Sequence, residues 1–271
     1  MQKRLTKRYK CNDMKFKVSD MLLLALSLIS CAGCSVKENR GLCPCRLILD
    51  FTEVDTASVK SIDFYLREDD EVVLDDVVVM EEFGEGYKAY VPRTGLLFSA
   101  WSGAGDALGE SLSIQYGEDC PPVYIHSSVI DAACESVTET VVMRKSFCTM
   151  TLNVRMTVQT PVSLVISGNV DGYEADGMPS IGDFMVRLDP DGDNVFCIRL
   201  PRQVDDSLVM EVDKGDNVVR RFPIGRYIIE SGYDWNAPDL EDITIDMDFA
   251  VTHLSMVIQG WEKEYKFDVV I

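Results

Sequence analysis

The chain has 271 residues, of which 26 are basic and 45 acidic, and its net charge is −19. The first 34 residues hold seven of the basic residues and two of the acidic ones, so the remainder is still more acidic. Because affinity for nucleic acids depends on clustered lysine and arginine, this charge argues against nucleic acid as a partner. The length is sufficient for one large or two smaller domains.

The N-terminus has the pattern of an export signal. A basic segment precedes an apolar run over residues 21–29, which is too short to cross a bilayer, since a crossing needs roughly 20 residues. Two sequences that resemble a lipobox follow: Cys31 stands three positions after Leu28, and Cys34 follows two small residues. The sequence therefore predicts a lipoprotein with an acylated N-terminal cysteine, and it leaves Cys31 and Cys34 as alternatives.

Beyond these two candidates lie six further cysteines, which are Cys43, Cys45, Cys120, Cys134, Cys148 and Cys197. An even number in an exported chain permits disulfides without requiring them. We expect Cys148 and Cys197, which lie in apparent strands, to be buried and free. Cys120 and Cys134 flank a loop that they could close. The spacing of Cys43 and Cys45 fits neither a zinc site nor a thioredoxin-like site, which predicts a structural role.

From Cys45 onward, apolar and polar residues alternate with a period of two, which is typical of an antiparallel all-β protein. The first series of predicted strands covers residues 46–52, 61–67, 71–80, 86–91, 96–101, 111–116 and 138–144. Asp69 and Asp70 predict a tight hairpin between two of them. The segment 127–133 has the pattern of an irregular loop or a short helix.

A second series of predicted strands covers residues 148–156, 163–167, 184–188, 195–200, 207–212, 217–222, 226–230, 243–249, 254–258 and 265–271. In the first of these, the apolar residues from Cys148 onward share one face. Residues 176–183 again predict a loop or a short helix. No internal repeat is convincing, although both halves hold similar numbers of strands.

Short strands separated by turns rich in glycine and proline favour β-sandwiches over a parallel α/β sheet. The run 138–156 is too long for one strand, so we expect the chain to cross between two sandwiches near residue 146. The predicted organisation is a signal peptide over residues 1–33, a membrane-proximal spacer over 34–44, an N-terminal β-sandwich over 45–145 and a C-terminal β-sandwich over 146–271.

Three groups of residues were candidates for chemistry, and none of them fits a known site. The acidic segment 189–194 has carboxylates that could bind calcium, but their spacing does not match the EF-hand pattern. Its Pro-Asp-Gly sequence favours a hairpin turn instead. His126 and His253 are the two histidines, and neither lies in a recognisable catalytic frame. The acidic run 239–242 is more typical of a solvated face than of an acid/base pair. We therefore predict no catalytic, cofactor-binding or metal-binding residues, no small-molecule substrate and no enzymatic activity.

Tryptophans raise one alternative function, a surface lipoprotein that binds glycans or nutrients. Trp101, Trp235 and Trp261 could form a sugar-binding platform, although tryptophan within a strand of a β-sandwich more often belongs to the core. Aromatic side chains exposed on one face would favour this alternative, and buried ones would disfavour it.

Several stretches resemble the FimB-type fimbrial anchor lipoproteins of Bacteroidales. The similar segments are 34–40 (CSVKENR), 43–51 (CPCRLILDF), 99–103 (SAWSG), 225–228 (GRYI), 232–235 (GYDW) and 237–243 (APDLEDI). The resemblance spans essentially the whole chain after the signal peptide.

This resemblance implies two tandem transthyretin-like β-sandwich domains and acylation at Cys34, with Cys31 as the alternative. It also implies a surface-facing protein, held in the outer membrane by its lipid (a palmitate or a similar acyl chain) at the base of a fimbria. The implied partner is a fimbrillin stalk subunit, bound by β-strand addition, and the implied role is to anchor the fimbria and limit its length. The resemblance implies no catalytic residues and no cofactor.

Overall fold

The computed structural model describes residues 43–105, 111–155, 163–189, 194–213, 218–248, 253–258 and 265–268. Among these residues, no helix is long and apolar enough to cross a membrane. The residues from Pro44 to Ile271 form one compact unit.

Strands dominate the described residues. They are β1 (Cys45–Asp50), β2 (Ser61–Glu68), β3 (Glu71–Val79), β4 (Tyr87–Val91), β5 (Gly95–Ser102), β6 (Ser111–Ser113), β7 (Tyr124–Asp131), β8 (Ser136–Thr140), β9 (Arg144–Lys145), β10 (Phe147–Arg155), β11 (Ser163–Glu174), β12 (Pro179–Leu188), β13 (Val195–Pro201), β14 (Val209–Asp213), β15 (Val218–Phe222), β16 (Ile243–Asp248), β17 (His253–Ile258) and β18 (Tyr265–Asp268). A 3₁₀-helix covers Met80–Glu85, and the α-helix α1 covers Ile224–Glu230. The predicted all-β class is confirmed.

The strands form four sheets. Sheet A has the order β4-β1-β8, sheet B the order β3-β2-β5-β7-β9, sheet C the order β12-β11-β14-β15 with β6 beside β11, and sheet D the order β13-β10-β16-β17-β18. Neighbouring strands run antiparallel, as predicted, except that β1 is parallel to β8 and β10 is parallel to β16. These two pairs join strands that are far apart in sequence.

Alternation along the strands places apolar side chains on the faces of the sheets that are buried. In β1, Cys45, Leu47 and Leu49 are buried. We call the cluster to which they belong the first core, which also contains Phe51, Val54, Val59, Ile62, Phe64, Leu66, Val78, Phe83, Val91, Leu96, Phe98, Ala100, Ile130, Ala132 and Val141. The apolar face predicted from Cys148 onward is confirmed in β10, whose inward side chains belong to a second core that lies mainly within sheets C and D.

The two halves repeat one topology, which the sequence pattern did not predict. Seven strands of sheets A and B correspond in order and pairing to seven strands of sheets C and D: β1 to β10, β2 to β11, β3 to β12, β4 to β13, β5 to β14, β7 to β15 and β8 to β16. In both sets the first strand lies between an antiparallel neighbour and a parallel one. The chain passes from sheet B to sheet D at Ser146, between β9 and β10. A division into two domains at this residue stays a prediction.

Three predicted elements are wrong. Residues 226–230 belong to α1, because Ile224 and Ile228 are both buried on one side of a helical turn. Residues 127–133 lie mainly in β7, and much of 176–183 lies in β12. Serines and glycines hide the alternation of these two segments, whereas pairing with β5 and β11 holds them extended.

The hairpin predicted at Asp69 and Asp70 is confirmed, since β2 and β3 pair up to Glu68 and Glu71. Asp69 has a φ of 52°, a value that tight hairpin turns require. The hairpin predicted at 189–194 is wrong, because β12 lies in sheet C and β13 in sheet D. Residues 190–193 of that acidic segment lie outside the described residues.

The cysteine predictions are partly wrong. Cys148 is buried and free, as predicted, whereas Cys197 is free but exposed, because the residues on either side of it face the core. Cys134 does not approach Cys120: its Sγ lies 4.0 Å from Sγ of Cys45, and Cys120 is buried beside the carbonyl of Pro121.

Candidate functional site

The candidate site is the free edge of sheet A along β8. Among the described strands, β8 pairs with β1 alone. Its counterpart β16 pairs with β10 in the same parallel way, but its other side is covered by the antiparallel strand β17, which in turn pairs with β18. Sheet A therefore ends at the position where sheet D continues by two strands.

Hydrogen bonds at both ends of β8 fix which of its backbone groups face this edge. The N–H of Arg46 donates to the carbonyl of Glu135 at 3.0 Å, and the N–H of Val141 donates to the carbonyl of Asp50 at 2.8 Å. Because the backbone groups of successive residues in a strand point to opposite sides, the odd-numbered residues of this segment face β1. The residues whose N–H and C=O groups face the free edge are Ser136, Thr138 and Thr140.

Side chains of β8 alternate in the same regular way. Those of Ser136, Thr138 and Thr140 are exposed, while Val137 and Glu139 are half-buried. Val137 packs against the first core. The exposed face of this edge is thus uncharged, and a strand placed beside β8 would meet small hydroxyl side chains on that face.

Glu139 ties β8 to sheet B across the space between the two sheets. Its Oε1 accepts a hydrogen bond from Oγ of Ser128 at 2.6 Å and lies 3.2 Å from Nε2 of His126. Nδ1 of His126 lies 3.2 Å from the carbonyl oxygen of Val142 and 3.3 Å from its backbone nitrogen, so the imidazole also contacts the segment that follows β8. The polar cluster Ser128–Glu139–His126 therefore links β7 to β8.

These three residues do not form a nucleophilic triad. In a triad the imidazole contacts the serine oxygen and removes its proton, whereas here the carboxylate lies between serine and histidine. The arrangement positions β8 against β7. The other histidine, His253, begins β17, and its side chain lies outside the described part of the chain.

The acidic run 239–242 also has a structural role. Asp239 accepts hydrogen bonds from the guanidinium of Arg144 and from the backbone N–H of Lys145, and Asp242 pairs with the Lys145 ammonium at 2.6 Å. Asp242 also accepts the backbone N–H of Thr149 at 2.8 Å. These carboxylates hold the segment in which the chain passes from sheet B to sheet D.

The predicted lipidation residues Cys34 and Cys31 lie outside the described residues, and lipidation stays a prediction. The described chain leads through Cys43 and Pro44 into β1, which is the strand next to β8. A tether that ends at residue 44 would thus enter the fold beside the candidate edge.

Tryptophan exposure does not favour a sugar platform in the described residues. Trp101 and Trp235 are each only 5% exposed, and Trp101 packs edge-on against the buried Tyr173. Trp261 lies outside the described residues. Among the residues that the structure describes, the strongly exposed aromatic side chains are those of Tyr90, in β4, and Tyr116, in the connection between β6 and β7.

The sequence matches no family model and no curated protein. The fold, in contrast, matches solved structures along nearly their whole length. The fimbrial anchor protein Mfa2 from Porphyromonas gingivalis is 14% identical, with a TM-score of 0.58 over 81% of this chain and 98% of that one. The chain has the fold of a fimbrial anchor protein.

Two further solved structures share this fold. A candidate adhesin from Bacteroides ovatus is 10% identical, with a TM-score of 0.59 over 83% of this chain and 95% of that one. A candidate polysaccharide-binding protein from Bacteroides thetaiotaomicron is 12% identical, with a TM-score of 0.58 over 83% of this chain and 98% of that one.

Sequence reasoning missed both the free edge at β8 and the polar cluster behind it. The alternation of residues 136–140 was a usable signal for the strand itself, although the prediction placed its start at 138. Which neighbour a strand lacks depends on pairing across the whole chain, and no local pattern carries that information.

Proposed function

We propose that the protein is a lipoprotein of the outer membrane that anchors a fimbria to the cell surface and limits its length. It binds the first fimbrillin stalk subunit by β-strand addition along β8. The observation that carries the proposal is the uncovered edge of β8, which corresponds to the edge of β16 that β17 covers. The shared fold with a protein described as a fimbrial anchor supports the same role.

Strand addition suits the chemistry of this edge. The partner supplies an extended segment that runs antiparallel to β8, as β17 does to β16, and its backbone pairs with the outward groups of Ser136, Thr138 and Thr140. Each backbone hydrogen bond adds about 1 kcal/mol. Alternate side chains of the segment lie on the same face as Val137 and Glu139 and set its register.

A proline at Thr138 tests the edge directly. Thr138→Pro removes an N–H that faces the free edge and leaves the hydrogen bonds to β1 intact, so the fold is retained while docking is weakened. The matched control is Lys88→Pro on β4. Thr138 and Lys88 both lie opposite Ile48, on the two outer edges of sheet A.

The measurement is binding of the purified stalk subunit to the lipidated protein, together with the number and length of fimbriae on cells that carry each variant. Thr138→Pro is expected to weaken binding by about tenfold or more and to release fimbriae into the medium. Lys88→Pro is expected to bind normally. Attached fimbriae of normal length in a strain that lacks the protein would refute the anchor role.

Lipid attachment is tested by mass spectrometry of the N-terminal peptide from membrane-extracted protein. We expect acyl chains on Cys34, and loss of membrane attachment in the Cys34→Ala variant. Acylation in Cys34→Ala but not in Cys31→Ala would assign the site to Cys31 instead. An unmodified N-terminus would contradict the lipoprotein assignment.

Glycan binding is the second candidate function, because one structure with the same fold is described as a candidate polysaccharide-binding protein. The burial of Trp101 and Trp235 disfavours it. Saturable binding of surface polysaccharides that is lost on substitution of the exposed Tyr90 would establish it.

A further inference from the structure

Two thiols lie side by side where the chain enters the fold. Cys45, the first residue of β1, is fully buried, and Cys134 is exposed in the connection between β7 and β8. Their Sγ atoms are 4.0 Å apart. The hydrogen bond from the Arg46 N–H to the Glu135 carbonyl joins the residues that follow each cysteine, so the two backbones are held next to each other.

We propose that Cys45 and Cys134 are oxidised to a disulfide after export, and that this bond clasps the start of β1 to the segment that leads into β8. A disulfide has a sulfur–sulfur distance of about 2 Å, so the thiols close by a shift of about 2 Å in total. We call this bond the clasp.

Accessibility sets the order of the chemical steps. The oxidant is the disulfide of an oxidised dithiol oxidoreductase, a class of protein that acts on exported chains. The Cys134 thiolate attacks one sulfur of that disulfide, which forms a mixed disulfide and releases the other sulfur as a thiolate. The Cys45 sulfur then attacks Sγ of Cys134 and displaces the reduced oxidoreductase. Two electrons and two protons pass from the cysteine pair to the oxidoreductase.

Local electrostatics agree with this order. Burial, assisted by the adjacent Cys134 thiol, raises the pKa of the Cys45 thiol, so Cys45 is poorly suited to attack first. Arg93 acts in the opposite direction, because its charge favours the Cys45 thiolate and lowers that pKa. The exposed Cys134 makes the first attack, and Cys45 makes the second attack inside the fold, within reach of this charge.

The other described cysteines are placed differently. Cys120 and Cys148 are buried elsewhere, in the second core. Cys197 lies on the outer face of β13, where its Sγ is 3.9 Å from Oγ1 of Thr151. Cys43 is exposed, two residues before Cys45, and it offers a close control for the clasp.

The clasp has a mechanical consequence, which rests on the proposed function. Tension between a lipid tether before residue 45 and a fimbria docked on β8 would otherwise pass through the hydrogen bonds between β1 and β8. The disulfide gives a covalent route from Cys45 to Cys134 and so to β8, only two residues later. Tension then reaches β8 without passing through the hydrogen bonds of β1 and without unfolding the chain between the two cysteines.

Disulfide mapping tests the clasp on the full-length protein extracted from membranes. Free thiols are blocked first, the protein is digested with trypsin and Glu-C without reduction, and the linked peptides are sequenced by fragmentation. We expect a Cys45–Cys134 linkage in the parent chain and in Cys43→Ser. Two blocked thiols at Cys45 and Cys134, or a linkage from Cys134 to Cys43 or Cys120, would overturn the proposal.

Stability and shear resistance provide two further readouts. Cys134→Ser alters an exposed residue, so it should fold, with a Tm lower by roughly 5–10 °C than that of Cys43→Ser. Cells that carry Cys134→Ser are expected to bear attached fimbriae at rest and to lose them under shear. An unchanged Tm would overturn the clasp. A mapped disulfide together with unchanged fimbriae in the deletion strain would refute the anchor role and leave the clasp intact.

Discussion

Burial keeps several ionisable side chains of this protein in their neutral forms. It raises the pKa of the Cys148 thiol to about 12, and, together with a hydrogen bond to Asp76, it raises the pKa of Tyr87 to about 12. Burial likewise raises the pKa of Tyr173 and Tyr233 in the second core. All of these groups are charged only after they lose a proton, so each makes the folded state sensitive to alkali.

Cys148 provides the test of this alkaline sensitivity. The unfolded chain loses the thiol proton near pH 9.0, whereas the folded chain keeps it until about 12, so the free energy of unfolding falls as the pH rises between these values. Cys148→Ala removes this contribution, which is at most about 1.4 kcal/mol per pH unit. Urea unfolding of both proteins from pH 8 to 11 measures the slope, and Cys197→Ala, at an exposed thiol, should retain the fall. Equal slopes for Cys148→Ala and the parent would contradict the assignment.

At the scale of single elements, strands with strict alternation were predictable and irregular ones were not. β10 alternates without interruption, and its buried face was predicted from Cys148 onward. β11 runs to Glu174, far past its predicted end at residue 167, because register shifts near Gly168 and Gly172 break the period of two. The segment 226–230 has a strand-like composition, but the buried pair Ile224 and Ile228 makes it a helix.

Which strands pair with each other could not be predicted from the sequence, for a different reason. The parallel neighbours of β1 and β10 lie far along the chain, and a strand's own alternation is the same whichever strand lies beside it. The free edge of β8 and the proximity of Cys45 to Cys134 both follow from such long-range pairing. The sequence could therefore predict the type of fold, but not the position of the candidate site.

α1 depends on one glycine at its first turn. A Cβ on Gly225 would lie 2.5 Å from the carbonyl oxygen of Asp206 and 2.8 Å from the backbone nitrogen of Leu208. Because both contacts are with backbone, Gly225→Ala should push α1 away from the segment that precedes β14 and destabilise the fold by about 1–3 kcal/mol. Urea unfolding measures the loss. Gly84→Ala, where a Cβ meets nothing within 4 Å, is the matched control and should change stability by less than about 1 kcal/mol. Equal stabilities of the two variants would contradict this packing.

At the scale of the whole molecule, the two cores are in close contact. The second core includes Tyr65, Trp101 and Ile125 from sheet B, besides the residues of sheets C and D. Tyr173 of β11 packs edge-on against Trp101, and its hydroxyl donates to the carbonyl of Ser146, where the chain passes between sheets. The face of sheet B that points away from the first core thus packs against the second core, and this contact couples the two halves energetically.

This coupling predicts that the halves unfold together. Calorimetry of the protein should give one cooperative transition, and Trp101→Ala should lower the free energy of unfolding by about 3–5 kcal/mol while keeping a single transition. The reason is that Trp101 belongs to a strand of the first half and is buried in the core of the second. Tyr90→Ala, at a side chain that is 73% exposed, should cost less than about 1 kcal/mol. Two resolved transitions in the parent protein, with Trp101→Ala shifting only one of them, would instead establish independent domains on either side of Ser146.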